Sequence, residues 1–400
     1  MKLLLKSVKH LLIGLLTLSL IAGIIANPIV TYSEDDEKDA LDLKSRSAIL
    51  MEASTGRIIY EKNADEMLRP ASVTKIMTLL LTFEELDSGN MTYDDIVTVS
   101  EHAASMGGSQ CFFEAGEEQT VRDMIKCIEV ASGNDAAVAM AEHIAGSETE
   151  FVNMMNARAK ELGMDNTNFV NACGLEAENH LTTSRDIAIM SRELITKHPD
   201  IKDFSTIWMD SIIHKTRKGE SQFDLANTNK FLNQYTGATG LKTGFTSQAK
   251  YCMSATANRN GIELIAVIMG ADTKEIRNSE ACKLLDYGFS KCNIYNDTET
   301  LPIDFKIPVE NGTSDYVAYD NITNNQFVLV NESPDMVVKE IILYNDIAAP
   351  IYEGDTLGVV QYSVNGNLVH EEYIYAAENV EKLSYLQSLK GLISKTFMIQ

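Results

Sequence analysis

The chain has 400 residues, which suggests two or three domains, and 45% of them are hydrophobic, enough for substantial cores. Its 57 acidic and 34 basic residues give a formal net charge of −23, which repels phosphate backbones and excludes nucleic acid as an expected partner. None of the six cysteines forms a C-x-x-C pair, which disfavours zinc-ribbon and thioredoxin-type sites, and the sequence predicts neither a metal nor another cofactor. We expect the cysteines to be small core hydrophobes, with disulfides as the open alternative.

The N-terminus has the pattern of an export signal. Three lysines within the first nine residues precede an apolar run over residues 11–26, and Ala26 is a small residue at a suitable cleavage position. We therefore predict a signal peptide over residues 1–26 and an exported protein. An uncleaved anchor is the alternative, because the apolar run has about the shortest length that spans a bilayer. Residues 27–46 are rich in acidic side chains and are expected to form a solvated linker.

In the next region, strand patterns lie at both ends and helical patterns lie between them. Residues 47–61 predict a hairpin, and a later hairpin turns through Asn260-Gly261. The later strands cover residues 240–246, 251–257 and 262–270. The helical patterns cover residues 71–87, 120–131, 135–146, 148–162, 184–197 and 275–290. We therefore predict an α+β domain over residues 47–292, with one antiparallel sheet, an inserted helical lobe and a cleft between them.

The C-terminal part of the chain changes character twice. Residues 296–377 alternate in short apolar runs with turn residues, including Asn365-Gly366, and predict a small all-β domain. Residues 379–400 place apolar side chains on one face of a helical wheel. That apolar face consists of Leu383, Leu386, Leu389, Leu392, Ile393 and Phe397. This pattern predicts an amphipathic helix lying in a membrane surface, with a helix that docks on its own domain as the alternative.

Ser72-Val73-Thr74-Lys75 is an S-x-x-K pattern at the predicted start of a buried helix. Positions i and i+3 share a helix face, so the Lys75 ammonium is expected beside the Ser72 hydroxyl. A serine needs a base to become a nucleophile, and a lysine can serve as that base when burial or a second cation lowers its pKa. The backbone N–H of Ser72 can also face a developing oxyanion.

Two further motifs complete a catalytic pattern. Ser132-Gly133-Asn134 interrupts two helical patterns, and a short loop there can present a hydroxyl for proton relay and an amide for a substrate peptide group. Lys242-Thr243-Gly244 lies on a predicted strand, where the lysine supplies positive charge and the threonine a hydroxyl for a substrate carboxylate. Gly244 would allow close approach to the backbone. S-x-x-K, S-D-N and K-T-G together are typical of β-lactamases and penicillin-binding proteins.

Both short motifs occur a second time in the chain. Ser247-Gln248-Ala249-Lys250 repeats S-x-x-K, but it lies in a predicted turn, where i and i+3 do not share a face. Ser88-Gly89-Asn90 repeats the triplet at the far end of the helix that Ser72 begins, and its Gly-Asn pair predicts a helix C-cap. We therefore assign no chemistry to either repeat.

The segments Arg69–Thr78, Val130–Ala137 and Gly240–Thr246 resemble the motifs of the low-molecular-mass penicillin-binding proteins, which are serine-type (S11) D-alanyl-D-alanine carboxypeptidases. The similarity runs from about Ala48 to Phe289. It implies a β-lactamase/transpeptidase-like catalytic domain, followed by the β-rich domain and the amphipathic tail. The chain departs from the family pattern at three positions, where it has Cys111, Phe245 and the segment Ala172-Cys173-Gly174-Leu175.

The resemblance implies that Ser72 attacks the carbonyl between the terminal D-alanines of a peptidoglycan stem peptide while Lys75 takes its proton. Ser132 and Lys242 would return a proton to the leaving D-alanine, and the backbone N–H groups of Ser72 and Phe245 would hold the oxyanion. Penicillins and other β-lactams would acylate Ser72.

Substrate binding, in this interpretation, falls to the K-T-G strand and its surroundings. The residues expected to bind substrate are Asn134, Lys242, Thr243, Gly244, Phe245, Thr246 and Arg277. Arg277 is the second cation expected at the free carboxylate, and its alternative is an exposed arginine at a helix start. The resemblance also implies a location at the outer face of the cytoplasmic membrane or in the cell wall.

Two other functions stay open at this stage, namely a β-lactamase and a catalytically silent cell-wall-binding protein. The additional β domain and tail disfavour a β-lactamase, while intact Ser72, Lys75 and Lys242 disfavour a silent protein. The chain has no H-E-x-x-H motif and no G-x-S-x-G elbow, which disfavours a metallopeptidase and a Ser-His-Asp hydrolase.

Overall fold

A computed structural model describes residues 41–217, 219–298, 306–320 and 325–389. The chain divides into one unit of residues 1–43 and a second from Lys44 to the end, and all elements below belong to the second. The predicted signal peptide, most of the acidic linker and residues 390–400 lie outside the described residues.

The first part of the second unit combines strands and helices. Its helices are α1 (Lys75–Asp87), α2 (Glu101–Ala104), α3 (Val121–Glu129), α4 (Asn134–Ala145), α5 (Glu148–Glu161), α6 (Ser184–Lys197), α7 (Lys202–Ser205) and α8 (Lys274–Lys291). Its strands are β1 (Ser47–Glu52), β2 (Ile58–Lys62), β3 (Ile96–Thr98), β4 (Glu118–Thr120), β5 (Met209–Thr216), β6 (Gly219–Ala226), β7 (Ala238–Thr246), β8 (Lys250–Arg259) and β9 (Ile262–Ala271). Three-residue or four-residue 3₁₀ turns cover Ala71–Thr74, Pro199–Ile201 and Lys230–Asn233.

The central antiparallel sheet has the strand order β2-β1-β9-β8-β7, so it is built from both ends of the domain, as predicted. Every residue of β1 is buried, because helices cover both sheet faces. Ser47 donates a hydrogen bond to Ser184 of α6, whereas Leu50 packs beside Gly288 of α8. Since side chains alternate along a strand, Ser47 and Leu50 point to opposite faces. Strand β7 ends the sheet order beside the helical lobe, where the predicted cleft lies.

Helix α1 runs through the middle of the helical lobe. Its residues from Lys75 to Phe83 are all buried, because α3, α4, α5 and α6 pack around it. A helix that is apolar on all sides must be enclosed in this way. The enclosure places Lys75, the first residue of α1, inside the protein, while Ser72 in the preceding 3₁₀ turn is only half-buried.

The sequence analysis missed two pairs of strands. Strands β3 and β4 have three residues each, and β5 and β6 form a ribbon with mostly exposed side chains. Neither pair buries enough apolar surface to produce a clear alternating pattern, which is the signal that sequence analysis depends on. The predicted hairpins at Asn260-Gly261 and Asn365-Gly366 are confirmed, and both residues of each pair have positive φ, as the tight turn requires.

The C-terminal β domain begins directly after α8. Its strands are β10 (Cys292–Asp297), β11 (Ile307–Pro308), β12 (Tyr316–Val317), β13 (Asn325–Val330), β14 (Val337–Leu343), β15 (Thr356–Val364) and β16 (Asn367–Tyr375), and Pro334–Met336 forms a 3₁₀ turn. Strands β14, β15 and β16 form an antiparallel sheet, while β10 pairs with β13 and β11 with β12. Its core is separate from that of the helical lobe and includes Leu329, Val360, Tyr362 and Ile374.

Two predicted boundaries are wrong. The amphipathic helix does not begin at Asn379, because Val380 is buried in the β domain and pairs with Ile351; the helical residues begin at Tyr385. The acidic linker is not solvated up to residue 46, because Glu280 accepts hydrogen bonds from the backbone of Lys44 and Ser45. Within the described ranges, no helix is long and apolar enough to cross a membrane.

All six cysteines lie in the described part of the chain and are free thiols, and only Cys282 is not fully buried. This matches the expectation of small core hydrophobes and not the disulfide alternative. Cys111 and Cys127 lie side by side beneath the Ser132 loop, where burial raises the pKa of the Cys127 thiol.

Candidate active site

Ser72 lies in the 3₁₀ turn Ala71–Thr74, which leads into α1. Two glycines allow neighbouring segments to touch this turn. A Cβ atom on Gly174 would lie 1.9 Å from the Ala71 carbonyl oxygen, and one on Gly244 would lie 3.0 Å from the Ser72 nitrogen. The K-T-G strand therefore packs directly against Ser72, and any side chain at residue 244 would separate them.

Lys75 is the first residue of α1, and its side chain is fully buried. Its Nζ atom lies 3.2 Å from Ser72 Oγ, 2.6 Å from Asn134 Oδ1 and 2.7 Å from the carbonyl oxygen of Cys173. Burial, with a smaller contribution from the nearby charge of Lys242, lowers the pKa of Lys75 to about 7. Both forms of the lysine are thus populated at neutral pH.

These three contacts suit a lysine that acts as a base. A neutral amine has two N–H donors and one lone pair. The Asn134 and Cys173 oxygens can only accept, so they take the two N–H groups and leave the lone pair for the Ser72 hydroxyl. The carbonyl of Cys173 and the amide of Asn134 therefore orient Lys75 toward the Ser72 hydroxyl. The S-x-x-K spacing predicted the serine–lysine contact, but it gave no sign of the Cys173 carbonyl.

Ser132 occupies the short loop between α3 and α4, as predicted, and it has a positive φ of 61°. The Asn134 amide donates to the Gly107 carbonyl at 2.6 Å and accepts from Lys75. Asp135, which the sequence analysis missed, accepts hydrogen bonds from the backbone N–H groups of Cys111 and Phe113. These bonds fix the segment of residues 107–113 against the start of α4 and hold the loop that presents Ser132.

Lys242 lies on β7, with only 1% of its surface exposed. Burial lowers the pKa of Lys242 to about 8, and the Glu129 carboxylate opposes that shift. Glu129 was not predicted from the sequence, although a signal was present. Along α3, the apolar residues 121, 124, 125 and 128 form a buried stripe on one helix face, and Glu129 is the one charged residue on that face.

The remaining residues of the K-T-G strand differ in their surroundings. Thr243 is buried, while 54% of Phe245 is exposed, and the centre of its ring lies 4.4 Å from that of Tyr251 with the two rings tilted by 33°. The Thr246 hydroxyl accepts a hydrogen bond from the backbone N–H of Ala249 and donates one to Glu176, which lowers the pKa of Glu176. Thr246 therefore already has partners at the edge of the cleft.

Arg277 lies in the first turn of α8 and is only 6% exposed, so the alternative of a solvent-exposed arginine is wrong. Its guanidinium donates to Asn278 Oδ1 at 3.0 and 2.9 Å and lies 5.9 Å from the centre of the Tyr251 ring. Burial lowers the pKa of Arg277 to about 10. Arg277 lines a cavity of about 580 Å³, which Ser72, Lys75 and Ser132 do not line.

The structure thus brings Ser72, Lys75 and Asn134 together through the contacts of Lys75, and it places Arg277 on α8 beside the hairpin that contains the K-T-G motif.

Within the described ranges, no group of three or more His, Cys, Asp or Glu side chains could hold a metal ion. The site contains a serine, two buried lysines and the hydrogen-bond partners of Lys75. The fold and these residues together define the class of penicillin-binding serine enzymes.

The chain belongs to the D-alanyl-D-alanine carboxypeptidase family, which it matches over residues 33–273. Residues 289–382 match the C-terminal domain of penicillin-binding protein 5. The chain is 42% identical to the D-alanyl-D-alanine carboxypeptidase DacF of Bacillus subtilis (strain 168) over 368 residues, which cover 90% of this chain and 92% of the relative. These matches confirm the family and the enzyme class that the sequence motifs predicted, and they favour a carboxypeptidase over a β-lactamase.

Solved structures agree with this assignment. The chain is similar to penicillin-binding protein 5 from Haemophilus influenzae, with a TM-score of 0.69 and 29% identity over 85% of this chain and 98% of that chain. It is also similar to the ampicillin-bound form of penicillin-binding protein D2 from Listeria monocytogenes, with a TM-score of 0.52 and 32% identity over 62% of this chain and 99% of that chain. The predicted α+β fold with a following all-β domain is therefore confirmed.

Proposed function

We propose that this D-alanyl-D-alanine carboxypeptidase removes the terminal D-alanine from peptidoglycan stem peptides through an acyl-enzyme on Ser72. The observation that carries the proposal is the contact between Ser72 Oγ and Lys75 Nζ at 3.2 Å, made by a fully buried lysine whose pKa is about 7. Such a lysine is neutral often enough at pH 7 to accept the serine proton.

In the acylation step, Ser72 Oγ attacks the carbonyl carbon between the two terminal D-alanines, and its proton moves to Lys75. The carbon–nitrogen bond then breaks, and the leaving D-alanine nitrogen takes a proton from the Ser132 hydroxyl. The buried ammonium groups of Lys75 and Lys242 are the proton sources that restore this hydroxyl. The oxyanion lies between the backbone N–H groups of Ser72 and Phe245. Water finally hydrolyses the ester and releases the shortened peptide.

Substrate binding uses the free edge of β7. Because β7 is the last strand in the sheet order, an extended peptide can add to its outer edge. Gly244 keeps that strand close to Ser72. The Asn134 amide and the Ser72 hydroxyl both contact Lys75, so the amide lies close to the proposed nucleophile. The Thr243 hydroxyl and the guanidinium of Arg277 bind the terminal carboxylate of the substrate, and the Thr246 hydroxyl turns from Glu176 to donate to the same carboxylate.

β-Lactam antibiotics are proposed to acylate the same serine, since a related structure is described in an ampicillin-bound form. The experiment that tests the function combines both ligands. Wild-type protein should release D-alanine from a diacyl-D-Ala-D-Ala peptide, as measured by mass spectrometry, and labelled penicillin should map to Ser72. Ser72→Ala should remove both signals, whereas the matched Ser247→Ala should remove neither. Rapid turnover of penicillin without release of D-alanine would instead support the β-lactamase alternative.

The location of the enzyme is also a proposal. We infer that it is exported by the N-terminal signal and acts at the outer face of the cytoplasmic membrane, where trimming of stem peptides would contribute to peptidoglycan biosynthesis and cell shape. Support for a membrane-bound tail comes from Tyr385, Leu386 and Leu389, whose apolar side chains are exposed on the described start of the tail helix. Such a helix binds the interface rather than spanning it.

Truncation after Ser384 tests the tail, because it preserves Val380, which is part of the β-domain core. The truncated mature protein should stay in solution with anionic lipid vesicles that pellet the full-length form, and it should release D-alanine from a soluble peptide at the same rate. Equal pelleting of both forms would show that the tail is a structural helix instead.

A further inference from the structure

Glu129 is a buried charge that the mechanism above does not use. It is the last residue of α3, 1% of its surface is exposed, and neither carboxylate oxygen has a hydrogen-bond partner within the described residues. A buried carboxylate without partners is costly, and a native protein rarely keeps one without a reason. Its neighbours on the α3 stripe are apolar, so packing alone would favour an apolar side chain here.

Lys242 is the charged group that acts on Glu129. Burial raises the pKa of Glu129 to about 7, and the charge of Lys242 opposes that rise, so Glu129 is mainly a carboxylate above about pH 7. The two side chains form no direct ion pair, so the carboxylate acts on the ammonium through the low-dielectric interior. Within the described residues the Lys242 ammonium makes no hydrogen bond, although nearly the whole side chain is buried. The Glu129 carboxylate therefore provides negative charge where Lys242 has no hydrogen-bonded acceptor.

The cleft also has to give its two buried lysines different charges. Lys75 must be neutral to act as the base, whereas Lys242 must be an ammonium to serve the substrate carboxylate and the leaving group. The two lysines repel each other, so only their surroundings decide which one loses its proton first. Around Lys75, the charge of Asp135 favours the ammonium, but three backbone N–H groups already bind that carboxylate. The Cys111 and Cys173 thiols are the other titratable groups that face Lys75.

We propose that Glu129 is a positioning residue whose carboxylate holds Lys242 as an ammonium ion, and thereby sets the alkaline limit of the reaction. The inference rests on the proposed function, because it assigns the protonated state to Lys242 and the neutral state to Lys75. Glu129 does not touch the substrate in this scheme. It acts only through Lys242.

The substitution Glu129→Gln tests this role, since it removes the charge and preserves the shape. Without the carboxylate, Lys242 loses its proton at lower pH. The alkaline limb of the plot of kcat/KM against pH should therefore shift toward lower pH by about one unit. On a diacyl-D-Ala-D-Ala peptide, kcat/KM should fall roughly ten-fold at pH 9 and change less than about two-fold at pH 6. A loss of equal size at every pH would overturn the proposal.

Three further variants keep the test decisive. Glu129→Met places an apolar side chain on the apolar stripe and should show the same alkaline shift even if the glutamine variant folds poorly. Glu129→Asp keeps the charge and should keep the wild-type alkaline limit. The matched control is Glu142→Gln on α4, which also has a buried carboxylate oxygen without a partner and should leave the profile unchanged.

A second readout separates this inference from the proposed function. Acylation by labelled penicillin can be followed over the same pH range without any peptide substrate. If the wild-type protein releases no D-alanine, the proposed function fails, but the alkaline limit of acylation still reports on Lys242. If the wild-type protein releases D-alanine normally, the function stands. If Glu129→Gln and Glu129→Met then have the wild-type kcat/KM at pH 9, the inference about Glu129 fails.

Discussion

The S-x-x-K pattern occurs twice in this chain, and the two copies have different surroundings. In the first copy, Lys75 is fully buried on the opening turn of α1, and its Nζ contacts Ser72 Oγ. In the second copy, Ser247 is exposed in the turn between β7 and β8, and Lys250 is exposed at the start of β8. The comparison shows that spacing alone does not activate a serine. Activation also needs a helical turn, which brings i and i+3 together, and a buried site, which lowers the pKa of the lysine.

The two Ser-Gly-Asn triplets differ in the same way. Ser132 is buried between α3 and α4, and Asn134 contacts Lys75. Ser88 is exposed at the end of α1, where Gly89 has the positive φ of a helix C-cap. Each repeat therefore supplies a matched control for its buried counterpart.

The largest difference is expected between the two lysines. Lys75→Met should reduce acylation by labelled penicillin by up to about 10⁴-fold, because no other base contacts Ser72 in the described structure. Lys250→Met should leave the acylation rate unchanged. The rates can be followed by stopped-time labelling and gel fluorescence. Near-normal labelling of Lys75→Met would remove this lysine from the mechanism.

A smaller difference is expected between the two triplets. Ser132→Ala should lower kcat for D-alanine release by about 10²–10³-fold, because the proton relay to the leaving nitrogen is lost. Ser88→Ala should be nearly silent in the same assay, since its hydroxyl only donates to the Glu85 carbonyl. Equal effects of the two substitutions would mean that the buried triplet has no special role in proton transfer.

The substitution Arg277→Ala tests whether a residue outside β7 recognises the terminal carboxylate of the substrate. Arg277→Ala should lower kcat/KM on a D-Ala-D-Ala peptide by about ten-fold to a hundred-fold, the loss expected for a hydrogen bond between charged groups. It should barely change turnover of an analogue whose terminal carboxylate is amidated. A similar loss on both substrates would limit Arg277 to its contacts with Asn278 and Tyr251.

The smallest effect concerns stability rather than rate. Burial lowers the pKa of Lys75 from 10.5 to about 7, so between these values the unfolded chain binds a proton that the folded chain does not. The stability that depends on Lys75 therefore rises with pH from about 7 to 10.5, by about 1.4 kcal/mol per pH unit at most. The difference in Tm between wild type and Lys75→Met should move in favour of wild type from pH 7 to pH 9, and Lys250→Met should show no such trend. A difference that stays constant with pH would contradict the low pKa.

Much of the site could be predicted from local sequence. Ser72 and Lys75 are one helical turn apart, so their contact follows from helix geometry, and the Asn-Gly pairs fixed two hairpins by turn chemistry alone. The order of strands and helices predicted the sheet built from both ends. The predicted helix start at Asn379 was wrong because Val380 serves the β-domain core, and a helical wheel contains no information about that packing.

The sequence by itself thus determined the motifs, the helices and strands that carry them, and the family of the chain, because all of these depend on neighbours within a few residues. Only the tertiary structure decided the state of the two lysines. The Cys173 carbonyl reaches Lys75 from 98 residues away, and the Glu129 carboxylate acts on Lys242 from a different helix. The pKa of a buried group depends on every charge and dipole around it, and the fold brings those groups together from distant parts of the chain.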